Sequence, residues 1–170
     1  MTKEELEKFL LGERIRTFAV LDGASVPGLP MRLYEMRPSN YCLFRGELAP
    51  DMAEVAPYVV QLTPNTPFTD WVLSENFGKH WGIFAQSLYS IKEMRRHFRA
   101  LVTVYDEKAT PMIFRFYDPR VLRKFLPTCN RDELKTLFGN VETFFAEDEK
   151  GQKFSAFRLE NDELKQTDLN

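Results

Sequence analysis

Two carboxylates stand where acid–base chemistry is often placed. Asp22 ends the apolar run Phe18–Asp22 (FAVLD), and Asp118 follows the run Pro111–Tyr117 (PMIFRFY). In an open α/β sheet functional carboxylates gather at strand ends, and such a pair, with His80 as a base, would suit hydrolase or nuclease chemistry. Each residue also has a simpler role. Asp22 leads the turn-forming stretch Gly23–Pro30. Asp118 precedes Pro119, the pattern of a carboxylate N-cap followed by a proline whose missing N–H costs nothing in a first helical turn. His80, at the entry to Trp81–Ala85 (WGIFA), has the position of a histidine that hydrogen-bonds its surroundings. There is no H-E-x-x-H and no Cys/His set with zinc spacing. Phosphate-binding glycine loops and a G-x-S-x-G elbow are absent too. The residues alone therefore assign no catalytic group, no metal ligand and no cofactor. The expectation is a protein that binds.

What the chain does offer is guanidinium chemistry. Arg115, Arg120, Arg123 and Lys124 cluster in one segment, while Arg95 and Arg99 lie one helical turn apart with Arg96 adjacent. If the two segments pack together they form one basic surface, and guanidinium forks match carboxylates in bidentate geometry. An acidic or phosphorylated polypeptide is the partner this fits. Nucleic acid is disfavoured by a net charge of −2 and the lack of a recognisable nucleic-acid module. Arg115 has an alternative, because an arginine inside a strand must find a partner, and a neighbouring acid such as Asp118 would serve. His97 shares the arginine-bearing helix and is expected to point to solvent. Charge is also segregated along the chain. Residues 46–78 carry five acids and no Lys or Arg, residues 92–124 nine bases to four acids, and residues 141–170 eight acids to four bases.

The elements that must position these groups follow from periodicity and turn chemistry. Thr2 with Glu5, Ser90 with Glu93 and Asn130 with Glu133 read as capping boxes opening three amphipathic helices. Strands are expected at Phe18–Asp22, Tyr41–Phe44, Tyr58–Leu62 and Trp81–Ala85, with helices around Met31–Met36 and after Thr66-Pro67. Leu101–Asp106 with Pro111–Asp118 reads as a hairpin, one face bearing Met112, Phe114 and Phe116 and the other Ile113, Arg115 and Tyr117. The helix after Asp118 buries Val121, Leu122, Phe125 and Leu126, and Pro127 is expected to stop it by excluding the α conformation at Leu126. Val141–Ala146 and Phe154–Leu159 read as a second hairpin, with Phe144 and Phe145 needing cover on opposite faces. Asn161–Asn170 is polar and expected to fray. Strand–helix alternation up to residue 99 predicts an α/β fold with a mixed, partly parallel sheet flanked by helices. A smaller C-terminal helix-and-hairpin lobe follows, giving a soft division into residues 1–100 and 101–170. With 44% hydrophobic residues, fifteen Phe, two isolated cysteines and no long apolar run, the chain reads as a globular protein of a reducing compartment with no membrane span.

Several stretches, in order, resemble one bacterial family. They are FAVLDG; GELAPDMAEVAPYVVQL leading into TPFTDWVLSENFGKHWGIFAQS; and SIKEMRRHFRALVTVYDEKATPMIFRFYDPRVLRKFLPTC. The resemblance is to the type VI secretion effector chaperones, or adaptor proteins, and spans about residues 17–146. It implies a non-enzymatic role in the cytoplasm of a Gram-negative bacterium. Such a protein binds the N-terminal region of a secreted effector and helps to seat it on the spike-tip protein. Arg115, Tyr117, Asp118 and Arg120 occupy the family's R-F-Y-D-P-R motif, and Trp81 and Gly82 its W-G step. The partner-binding candidates are accordingly Arg115, Tyr117, Asp118, Arg120, Arg123, Trp81, Arg95 and Arg99. An immunity protein that neutralises a toxin domain is the alternative, with a hydrolase or nuclease using Asp22 and Asp118 behind it.

Overall fold

The computed structural model describes residues 2–12 and 14–169. In chain order its elements are α1 (Lys3–Leu10), β1 (Arg16–Asp22), α2 (Leu29–Met36), β2 (Asn40–Cys42), α3 (Pro50–Val55), β3 (Pro57–Leu62), α4 (Pro67–Glu75) and β4 (Gly82–Ser87). There follow α5 (Ile91–Val102), β5 (Thr103–Tyr105), β6 (Pro111–Ile113), α6 (Pro119–Phe125), α7 (Arg131–Phe138), β7 (Thr143–Glu147), β8 (Phe154–Glu160) and β9 (Glu163–Leu169). All three capping boxes form, each with both reciprocal hydrogen bonds, at the starts of α1, α5 and α7.

Seven strands make one sheet in the order β2-β3-β1-β4-β7-β8-β9, and each of its ladders is antiparallel. This corrects the expected partly parallel sheet. The alternation of strand and helix is real, and β3 and β4 do run in the same direction on either side of α4. Strand β1 lies between them, however, and is antiparallel to both. The apolar run of β1 misleads because a strand covered on both faces reads as continuously hydrophobic whichever way its neighbours run. Here Phe18 and Val20 face one helical layer, with Phe98 of α5, Leu122 of α6 and Leu137 of α7. Ala19 and Leu21 face the other, with Leu10 of α1, Leu33 of α2 and Val72 of α4.

The second hairpin is likewise part of this sheet, not a smaller lobe. β7 pairs with β4 through Phe84↔Phe145, and β8 and β9 extend the sheet outward. Phe144 finds its cover in one layer, edge-on to Phe138, and Phe145 in the other. The expected division near residue 100 falls inside α5. Nor does the C-terminal stretch fray. Asn161 and Asp162, at φ 52° and 65°, form a tight turn between β8 and β9, the conformation Asn and Asp tolerate best in a two-residue hairpin loop. β9 is polar because it is the outermost strand, and its charges blunt that edge. Asn170 lies outside the described residues.

Candidate functional site

The alternation predicted for Pro111–Tyr117 stops with β6 at Ile113. Phe116 and Tyr117 are both buried, in a turn closed by the Asp118 N–H donating to the Arg115 carbonyl. That turn carries Arg115 to the end of β1, where its Nη2 donates to Oδ2 of Asp22. The partner of Arg115 is thus Asp22, 93 positions away, and not the neighbouring Asp118. Asp22 also accepts from the Ala24 N–H at 3.1 Å and from the Ser25 hydroxyl at 2.9 Å. Asp118 caps α6 by accepting from the Arg120 N–H at 2.9 Å. The Arg120 guanidinium closes on the same carboxylate in bidentate fashion, at 3.0 and 2.7 Å. Burial raises the Asp118 pKa, but the bonds and charge of Arg120 outweigh it and hold this carboxyl below its ordinary value. Tyr117 is pushed up to about 12, first by burial and next by the nearby charge of Asp22.

Glycines make these close approaches possible. A Cβ on Gly23 would come within 2.5 Å of the Glu54 and Ala56 carbonyl oxygens, and one on Gly82 within 2.1 Å of the Val20 oxygen. The D-G and W-G steps are therefore places where backbones touch. The Asp22 and Asp118 carboxylates are each occupied by a guanidinium group, and the R-F-Y-D-P-R motif fastens its segment to β1 and to α6. His80 has a different carboxylate neighbour. Its Nδ1 is 3.1 Å from Oε1 of Glu147, off the hydrogen-bond line, while that buried carboxylate accepts the N–H groups of Gly78 and His80.

The other candidates are drawn into separate contacts. Arg123 donates to the Ser155 hydroxyl at 2.7 Å and covers the Phe157 ring, Lys124 pairs with Glu149, and both face the C-terminal hairpin. Arg95 lies over the Tyr41 ring, and Arg99 donates to the carbonyls of Cys42 and Phe44, pinning the chain beyond β2. Trp81 is buried against Trp71, with Lys79 over its ring. His97 does not face solvent. It is half-buried against α7, Nε2 3.0 Å from the Leu137 carbonyl, and burial lowers its pKa. α6 ends at Phe125, ahead of Pro127 as predicted, but Leu126 is not driven out of the α region, and the chain continues through a 3-10 turn, Leu126–Thr128.

What sequence reasoning passed over is the exposure of the predicted hairpin, which forms as β5–β6. It forms its own two-stranded sheet, and each of its six strand residues is exposed. Tyr105 is 68% exposed and Ile113 58%. An isolated hairpin is marginal in water, so this one needs anchors. β5 continues directly from α5, Phe114 N–H donates to the Val102 carbonyl at 2.8 Å, and Asp106 Oδ1 accepts from the N–H groups of Lys108 and Thr110 at 2.8 Å each. The two faces of this arm border two grooves. Val104 and Phe114 line one of about 510 Å³ with Leu101, Phe125 and Leu137. Thr103 and Ile113 line another of about 320 Å³ with Leu43, Leu48 and Met52. Apolar residues at consecutive positions, Val104-Tyr105 and Met112-Ile113, were the available signal, since a strand with one covered face shows only alternate ones. Among the described residues no group of three or more His, Cys, Asp or Glu is placed to hold a metal ion, and no helix is long and apolar enough to cross a membrane.

Comparison with known proteins places the chain in a family. The model of a family described as a domain of unknown function (DUF4123) covers residues 17–136, a span that includes β1 from Thr17 onward, the W-G step, the hairpin arm and the R-F-Y-D-P-R motif. No curated protein and no solved structure matches the chain.

Proposed function

Starting from the fact that the chain belongs to the DUF4123 family, we propose that it is a cytoplasmic, non-enzymatic chaperone of type VI secretion. It binds the N-terminal region of an effector and promotes loading of that effector onto the spike-tip protein. The observation that carries this reading is the exposed apolar arm between two grooves, within the residues matched by the family. Contiguous exposed apolar surface is disfavoured in a protein that works alone, and two apolar clefts beside an arm suit an extended or helical guest. The sequence resemblance supplies the identity of the guest. The Arg115–Asp22 pair supports the reading in a second way, because this guanidinium already has an internal carboxylate and so serves to set the base of the arm against the sheet.

The test is co-expression with the effector encoded in the neighbouring locus. The expected result is a soluble effector that co-purifies with this protein and ceases to do so when its N-terminal region is deleted. A folded preparation that leaves every candidate effector and spike protein unbound overturns the proposal. Capture of the isolated C-terminal toxin domain also overturns it, in favour of an immunity protein.

A further inference from the structure

The two edges of the hairpin arm are chemically different. Phe114 N–H donates to the Val102 carbonyl and Asp106 N–H to the Thr110 carbonyl. With the register Thr103↔Ile113, Val104↔Met112 and Tyr105↔Pro111, Val102, Val104 and Asp106 therefore turn their backbone groups inward. Thr103 and Tyr105 turn theirs outward, a full set of two donors and two acceptors on the free edge of β5. The corresponding outward positions on β6 are Ile113 and Pro111, and proline has no N–H to give. The β6 edge is blunted and the β5 edge is left open, which is how natural sheets distinguish a closed edge from a usable one.

We propose that the free edge of β5 receives an extended stretch of the client polypeptide as a third strand. Side chains of an added strand alternate between the two faces, so successive apolar residues enter the larger groove beside Val104 and the smaller one beside Thr103. The charges at the two grooves differ in sign. The charged residues lining the larger groove are Asp132 and Glu133, and those lining the smaller are Arg45 and Arg99. The guest strand is therefore apolar at its centre, with basic side chains on the Asp132 side and acidic ones on the Arg45 side. This rests on the chaperone reading and specifies how the guest is held.

The experiment pans random peptides displayed on phage against the intact protein and against three variants. Tyr105→Pro deletes an outward N–H and leaves the inward ladder of the arm in place. Tyr105→Ala removes only the side chain, and Arg45→Glu inverts the charge at the smaller groove. Thermal unfolding confirms that each variant is folded. The expected enriched peptides lack proline and carry paired apolar residues flanked by base and acid on opposite faces of a strand. They bind Tyr105→Pro at least about tenfold more weakly than Tyr105→Ala, since a backbone bond and strand continuity are lost. On Arg45→Glu the preference for an acid at the matching position disappears. Enrichment at helical spacing overturns the inference, as does equal binding to Tyr105→Pro or no enrichment over a blank surface. A concentration-dependent dimer in sedimentation that Tyr105→Pro abolishes overturns it too, by giving the edge to a second copy of the chain. Effector capture is measured in parallel. Capture that Tyr105→Pro leaves intact removes the strand-addition inference alone, whereas failure of the wild type to capture any effector removes the chaperone reading beneath it.

Discussion

Replacing Arg115 with methionine keeps an unbranched apolar stem and removes the guanidinium that meets Asp22. The Asp22 side chain is only 2% exposed, whereas that of Arg115 is 46% exposed. Stranding a charge whose ion pair is fully buried costs about 3–5 kcal/mol. Arg115 stands half in water, and Asp22 keeps its bonds from the Ala24 N–H and the Ser25 hydroxyl, so the full figure does not apply. A hydrogen bond to a charged group contributes about 1.5–3 kcal/mol, and about 2 kcal/mol is the expected loss. For a chain of this size that lowers Tm by about 4–8 °C. The assay is urea unfolding followed by the fluorescence of Trp71 and Trp81, which stack in the core with ring centroids 5.0 Å apart. A double-mutant cycle with Asp22→Asn isolates the pair, and the expected coupling is about 1–2 kcal/mol. Additivity within about 0.5 kcal/mol would refute the claim that the motif is fastened through this contact.

Other outcomes follow from the same geometry. Gly82→Ala forces a methyl group against the Val20 carbonyl in the middle of the sheet and is expected to cost about 3 kcal/mol, or to prevent folding. A soluble variant with unchanged Tm contradicts this. Glu147 has its pKa raised from 4.5, chiefly by burial, with the Gly78 N–H and His80 opposing. The folded chain thus holds the proton more readily than the unfolded one, so this contribution to stability is complete below about pH 4.5 and is lost as pH rises through the raised value. Wild-type stability relative to Glu147→Gln, read from urea midpoints, should fall with rising pH across that window, and a pH-independent difference would exclude it. In alkaline titration followed by ultraviolet absorbance, Tyr58 and Tyr117 are each expected to ionise near pH 12. Tyr117→Phe should halve the absorbance change near pH 12, and an unchanged amplitude there would show that Tyr117 is not shielded.

Much of the local structure was legible in the chain. The three capping boxes, the Asp118-Pro119 helix start and the existence of the arm follow from contacts within a few residues, where spacing and side-chain chemistry are sufficient. The direction of the strands was not legible. FAVLD is equally apolar in a parallel or an antiparallel setting, and the insertion of β1 between β3 and β4 is a property of the assembled sheet. The site divides in the same way. Asp22, Arg115, Asp118 and Arg120 stand out by residue type, but nothing local indicates that Arg115 reaches β1. The basic surface imagined from Arg95, Arg99, Arg115 and Arg123 is instead a set of separate contacts with Tyr41, Cys42, Asp22 and Ser155.

By itself the amino-acid sequence determined most of the helices and inner strands, the capping boxes, and which groups of chemistry the chain carries, but not β9 or the early end of β6. These depend on backbone preferences and neighbours in the chain. Only the tertiary structure decided that the strands interleave antiparallel, that Arg115 spends its charge on Asp22, and that the arm stands clear of the sheet with one edge open. Each of those depends on which distant surfaces bury one another, and the free energy of that burial is not written at any single position.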